Sequence, residues 1–230
     1  MTPPAGDPVV LVTGASSGIG RAVAARLVSD GVRVVALTRR EPDIEGVSWR
    51  ACDLADTGAV ASVVAGLGPV SGVVHAAGFQ ESGGIDALDP AAGERMYAVH
   101  VTAAVALVQA VLPDLVDGGR VVLVGSRTAD GAAGKSLYAA SKAALRALAR
   151  SWAAELAPRR VTVNVVEPGP TRTPMLEDPR RSATPVKPPP LGRLVEPDEV
   201  ADLVAFLLGP SGAMVTGQHW RICGGASLPG

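Results

Sequence analysis

Aromatic residues are scarce: three Trp, two Tyr and two Phe in 230 residues. That leaves few platforms for stacking bases. A formal net charge of -1 gives no basic field to hold a phosphate backbone or an anionic membrane surface. Nucleic-acid binding is therefore not expected. Cysteine is nearly absent, and Cys52 and Cys223 stand far apart with no CxxC pair, which excludes a disulfide framework. The three histidines, His75, His100 and His219, have no ligand spacing, so no metal site is expected. No apolar run approaches the ~18 residues of a membrane span. Met1 to Asp7 carry neither a basic residue nor an apolar stretch, so no signal peptide is read there, and a cytoplasmic protein is expected. Lysine is also rare, with only Lys135, Lys142 and Lys187 in a chain that otherwise uses arginine.

What remains is a chain rich in small and aliphatic residues, 47% hydrophobic, with 27 Gly and 19 Pro dispersed along it. The length suits one domain with a sizeable core. Short apolar runs alternate with helical patterns. Strands are expected at Val9–Thr13, Val32–Leu37, just before Cys52, Gly72–Ala76, Arg120–Gly125, Val161–Val166 and Gln218–Ile222. Helices are expected at Arg21–Ser29, Ala55–Leu67, Glu94–Leu115, Leu137–Leu156 and Pro197–Leu208. Near-continuous apolar strands alternating with helices imply an α/β fold, a doubly wound Rossmann-like parallel sheet with helices on both faces. Ligands in such folds sit beyond the carboxyl ends of the strands. The Pro-rich stretch 175–193 is the one irregular segment and has the composition of a substrate lid.

After the first strand comes Thr13-Gly14-Ala15-Ser16-Ser17-Gly18-Ile19-Gly20, leading into a helix. Three close glycines let the backbone approach a ligand, and the helix start offers free N–H groups to an anion. The spacing Thr-Gly-x-x-x-Gly-x-Gly resembles the short-chain dehydrogenase/reductase family at every fixed position. Further along, Tyr138 and Lys142 stand four residues apart on one face of a helix. Ser126 lies 12 residues upstream, at the end of an apolar strand. A free tyrosine has a pKa of about 10 and a nearby ammonium favours its phenolate. A phenol so tuned can give a proton to a carbonyl oxygen, and a serine hydroxyl can polarise that oxygen.

The resemblance implies that Ser126, Tyr138 and Lys142 are the catalytic set, with Lys142 lowering the phenol's pKa and contacting the cofactor ribose. It implies a dinucleotide held by Gly14, Ser16, Ser17, Gly18, Ile19 and Gly20, by Thr38 and Arg39 after the second strand, and by Asp53 and Leu54. Ala76, Ala77 and Gly78 would approach its ribose, and Pro168, Gly169, Thr171 and Thr173 its nicotinamide end. Position 38, where NAD-specific folds carry an acid, is Thr, and Arg39 can pair with a 2′-phosphate, so NADP(H) is expected over NAD(H). His75 stands where the family usually has Asn, either replacing one of its hydrogen bonds or packed as a satisfied buried histidine. His100 takes the place of the helix Asn that anchors a relay water in many members. A neutral imidazole can donate and accept one bond each and titrates near pH 6.5 if unperturbed. The alternative is a packed histidine.

The implied reaction is reduction of a ketone, of 3-oxoacyl thioester or polyketide type, to a secondary alcohol. Alcohol oxidation by the same machinery is one alternative, and a dinucleotide-binding sensor or docking module with little turnover is another. The resemblance also implies a homotetramer or homodimer built on the two long helices, with Ala139, Ala143 and Ala147 as a small-residue face.

Overall fold

Apolar alternation with a period of two decides the architecture. In β1 (Val9–Thr13), Val9 and Leu11 pack into one hydrophobic cluster while Val10 and Val12 pack into another on the opposite face. The same division separates Val121 and Leu123 from Val122 and Val124 in β5 (Leu115–Val124). Both faces are buried, so both need helices. A computed structural model describes residues 7–181, 184 and 186–228. In it, α1 (Gly18–Ser29) and α6 (Pro197–Leu208) cover one face, through Val23, Leu27, Val200, Val204 and Leu207. The other face is covered by α4 (Ala103–Val111) and α5 (Ser136–Leu156), through Leu107, Val108, Leu145 and Ala149.

The remaining strands are β2 (Arg33–Thr38), β3 (Ser48–Ala51), β4 (Val70–His75), β6 (Thr162–Pro168) and β7 (His219–Ile222). Every pairing is parallel, in the order β3-β2-β1-β4-β5-β6-β7. This is the doubly wound Rossmann-like arrangement expected from the sequence. Its strand order reverses between β1 and β4, which opens a crevice at their carboxyl ends.

Two helices differ from the sequence reading. The helix expected over Ala55–Leu67 is reduced to α2 (Val60–Val64). Ahead of it, the Asp53 and Asp56 side chains accept the N–H groups of Ala55 and Ala59 at 3.0 and 3.3 Å, local bonds that compete with helix formation. Behind it, Gly66 adopts a φ of +70°. The long helix expected over Glu94–Leu115 begins earlier, as α3 (Pro90–Tyr97), with Asp89 capping the Ala91 N–H. It passes through a π-helical turn, Ala98–Thr102, and ends with α4. Pro113 has no N–H to extend it, and Leu115 belongs to β5. Of the three alanines expected on a small-residue face, Ala139 is buried within the chain, Ala143 is half-buried and Ala147 is exposed.

The start of α6 follows its sequence signals closely. Pro197 sits at the first helical position, and Glu196 and Glu199 form a reciprocal capping box. Segment 175–193 carries short 3-10 turns, Pro174–Glu177 and Pro179–Arg181; residues 182, 183 and 185 of the expected lid lie outside the described residues. Among the described residues no helix is long and apolar enough to cross a membrane.

One polar clasp joins α5 to the sheet. Glu167 on β6 is completely buried, and Arg146 of α5 embraces its carboxylate through Nε and Nη2. Arg221 of β7 donates to the same carboxylate at 3.2 Å. Breaking a buried pair by removing one partner costs about 3–5 kcal/mol, because a charge is left uncompensated. With Arg221 still in place, Arg146→Met should destabilise the fold by about 3 kcal/mol. Urea unfolding checks this, and a loss below about 1 kcal/mol would show that the clasp is not needed.

Candidate active site

The carboxyl ends of β1, β2, β4, β5 and β6 open onto one cavity of about 710 Å3. Its wall begins at the glycine turn. Gly14 has a φ of +70°, and a Cβ there would stand 2.9 Å from the backbone of Ala77. A Cβ on Gly20 would lie 2.4 Å from the Gly14 carbonyl oxygen. No side chain fits at either position, so the turn lies flush against the end of β4. The first N–H groups of α1 have no intrahelical partner, and Ser17 makes no side-chain cap bond to them. Donors converging on a backbone cradle that a Cβ would fill suit the phosphates of a dinucleotide.

Thr13 organises the adjoining wall. Its hydroxyl accepts the N–H groups of Ala76 and Ala77, both at 3.1 Å, and so donates to His75 Nδ1 at 3.0 Å. His75 Nε2 in turn donates to the Val99 carbonyl at 3.0 Å. His75 is thus a satisfied buried histidine, and burial followed by the charge of Lys142 lowers its pKa to about 4. Thr38 spends its hydroxyl on the Arg40 carbonyl at 2.6 Å, fixing a turn that leaves Arg39 exposed at the cavity edge.

Gly125 ends the core of β5 because a Cβ there would meet Val165 Cγ1 at 2.7 Å. Ser126 follows with extended backbone, its Oγ accepting the Thr128 N–H at 3.2 Å. Tyr138 and Lys142 project from α5 into the same cavity and are 7% and 4% exposed. Burial raises the Tyr138 pKa, while the nearby Ser126 hydroxyl and the charge of Arg181 act the other way. Lys142 is anchored to the end of β5. Its Nζ donates to the Val124 carbonyl at 2.9 Å and stands 6.0 Å from the phenol ring centroid. Desolvation lowers its own pKa to about 7, so near neutrality the amine is only partly charged.

Every residue that the sequence assigned to the cofactor lines this cavity: Gly14, Ser16, Ser17, Gly18, Ile19, Gly20, Thr38, Arg39, Asp53, Leu54, Ala76, Ala77, Gly78, Pro168, Gly169, Thr171 and Thr173, besides Tyr138 and Lys142. Thr171 and Thr173 turn their hydroxyls to the carbonyls of Gly169 and Thr171, at 3.0 and 3.4 Å.

His100 is the exception. It is fully buried and does not line the cavity. Its Nε2 accepts the Phe79 N–H at 3.2 Å. Its Nδ1 lies 2.9 Å from the Ser141 hydroxyl, which already donates to the Tyr138 carbonyl. Both ring nitrogens have protein partners, so the imidazole has none free for a relay water. Gly78 permits this packing, since a Cβ there would stand 2.9 Å from His100 Nε2. Burial, then the charge of Lys142, also holds the His100 pKa well below 6.5.

The sequence reading missed several lining residues, among them Phe79, Gln80, Glu81, Lys135 and Arg181. They come from loops whose paths no local motif specifies. The one available signal was the rarity of lysine, which Lys135 shares with Lys142.

The family model described as enoyl-(acyl carrier protein) reductase matches residues 14–227. A 3-oxoacyl-[acyl-carrier-protein] reductase from Vibrio cholerae is 36% identical over 239 residues, spanning 94% of this chain and 96% of that protein. The chain belongs to the short-chain dehydrogenase/reductase family. A solved structure of a short-chain dehydrogenase/reductase variant from Serratia marcescens matches with a TM-score of 0.85 and 31% identity, covering 98% of this chain and 100% of that one. A blue fluorescent protein from a metagenomic library, solved in complex with NADPH, matches with a TM-score of 0.85 and 34% identity over 96% of this chain and 98% of that one. As a short-chain dehydrogenase/reductase, the protein is an NAD(P)-dependent oxidoreductase.

The buried histidines set an acid response. Unfolded, they take up protons below a pKa of about 6.5. Folded, His75 does so only near pH 4 and His100 well below 6.5. The unfolded state therefore binds more protons below pH ~6.5, and stability falls as pH drops, by up to ~1.4 kcal/mol per pH unit for each histidine. His100→Asn should reduce the loss of urea stability between pH 7.5 and pH 5 and leave the acidic limb of the pH–rate profile in place. A shifted limb would return His100 to the proton path.

Proposed function

We propose that this enzyme uses NADP(H) to reduce a carbonyl compound to a secondary alcohol, with Tyr138 as proton donor. The observation that carries this reading is the meeting of Ser126, Tyr138 and Lys142 in the cavity that the glycine turn borders. The bound dinucleotide supplies the hydride. The first turn of α1 and the Gly14–Gly20 backbone hold its phosphates. Arg39 takes the 2′-phosphate, with no acid at position 38 to repel it. Asp53 and Leu54 flank the adenine, and the Pro168–Thr173 segment meets the nicotinamide end.

The chain's own groups handle the carbonyl oxygen. Ser126 hydrogen-bonds it as negative charge develops there. The Tyr138 phenol, kept protonated by burial, delivers its proton to that oxygen. Lys142 becomes fully charged when it contacts the ribose hydroxyls and the phenol oxygen as that oxygen ionises, and it then stabilises the phenolate left by proton transfer. Met175, Leu176 and Val186 line the substrate side of the cavity.

Two measurements test this assignment. A positioned general acid contributes about 10²–10⁴-fold, so Tyr138→Phe should lose at least 100-fold in kcat. Its affinity for NADPH, followed by fluorescence, should stay within about threefold, the change in RT ln Kd being under ~0.7 kcal/mol. Retained turnover would remove Tyr138 from the reaction. A charge-assisted hydrogen bond is worth about 1.5–3 kcal/mol. The ratio of kcat/KM for NADPH over NADH should therefore fall at least ~10-fold in Arg39→Ala. An unchanged ratio would reassign the NADP(H) preference.

A further inference from the structure

Several cations in the same cavity have no part in the reaction described above, Arg127, Lys135 and Arg181 among them. Arg181, on the Pro179–Arg181 turn, is only 8% exposed. Its Nη1 donates to the Met175 carbonyl at 3.2 Å, and its Nε has no partner among the described residues. Lys135, half-buried, lies three residues ahead of Tyr138 where α5 begins, and Arg127 directly follows Ser126. All three line the cavity.

The acids nearby are already engaged. Glu81 pairs with Arg95 at 3.0 Å and lies 3.9 Å from Arg180. Asp178 pairs with Arg180 at 2.5 Å. Among the described residues, none of Arg127, Lys135 and Arg181 has a carboxylate within 4.0 Å. The three charges also repel one another: burial, then Arg181 and Arg127, lowers the Lys135 pKa. Burying an unpaired guanidinium beside like charges is unfavourable in the empty protein. It becomes favourable once an anion enters, because a pre-oriented guanidinium can bind a carboxylate or phosphate through two parallel hydrogen bonds.

The position of the cluster says which anion. The dinucleotide phosphates have their own donors at the start of α1. The cluster lies instead beside the proton donor: Lys135 immediately precedes the first turn of α5, which carries Tyr138, Arg127 directly follows Ser126, and all line one cavity with Tyr138.

We propose that Arg181, Lys135 and Arg127 form a subsite for an anionic group, carboxylate or phosphate, carried by the carbonyl substrate itself. The inference rests on the reductase reading and narrows its substrate to anionic carbonyl compounds. It predicts discrimination between substrates matched in shape and differing in charge.

The test uses two such pairs: 3-oxobutanoate with its ethyl ester, and dihydroxyacetone phosphate with dihydroxyacetone. Wild type should favour the charged member of at least one pair by 10-fold or more in kcat/KM. The carboxylate and phosphate arms report which anion fits. Arg181→Gln should bring that ratio close to 1, Lys135→Gln should lower it in part, and Arg181→Lys should retain part of it. A ratio near 1 in wild type for both pairs, or one unmoved by Arg181→Gln and Lys135→Gln, overturns the proposal.

Calorimetric titration of the two anions into enzyme saturated with NADP+ gives a readout free of turnover. Binding weakened at least 10-fold by Arg181→Gln supports the subsite even if none of the four compounds is reduced, in which case the reductase reading alone is in question. Reduction of the neutral compounds with no anion binding keeps the reductase reading and removes the subsite.

Discussion

A single hydroxyl ties together the two strands between which the crevice opens. Thr13 ends β1, and its Oγ1 accepts the N–H groups of Ala76 and Ala77 just beyond β4. Parallel strands that diverge at a switch point leave backbone donors without ladder partners. Here those donors are satisfied by a side chain, and its own proton is passed to His75. The backbone of residues 76–78 is thereby held close to the glycine turn, where Gly14 has no space for a side chain. The cavity wall is built from this contact outward: His75 continues it to Val99, and Gly78 leaves room for His100 to cap the Phe79 N–H.

Much of this was legible in the chain because it is written in short range. Alternating apolar residues decide which face of the sheet each strand residue enters, and Pro197 with Glu199 announces the start of α6. The glycine turn and the Tyr138–Lys142 spacing are local patterns with local geometry. The sequence reading was less reliable where two local tendencies compete. The aspartates before α2 divert N–H groups that a helix would use, and the apolar pattern continues past Pro113 although the helix does not.

The electrostatics of the site were much less legible. A lysine four residues from a tyrosine suggests a charge beside a phenol, but the charge depends on solvation, and solvation depends on the whole fold. Lys142 is enclosed and turned to the Val124 carbonyl, while Ser126 and Arg181 act on Tyr138. Likewise the role of His100 could not be read from its neighbours in sequence. Its partners, Phe79 and Ser141, come from elements 21 and 41 residues away. Glu167, completely buried between Arg146 and Arg221, gave no sign at the end of a strand whose alternate residues are valines.

The low basicity of Lys142 has a consequence for the thermodynamics of ligand capture. An amine that titrates at about 7 because it has been stripped of water takes up a proton whenever negative charge arrives nearby. Uptake of anionic molecules by the crevice is then coupled to uptake of hydrogen ions, and apparent affinity weakens as the solution becomes more alkaline than neutral. The measured heat of association will carry the ionisation enthalpy of whichever buffer gives up that proton.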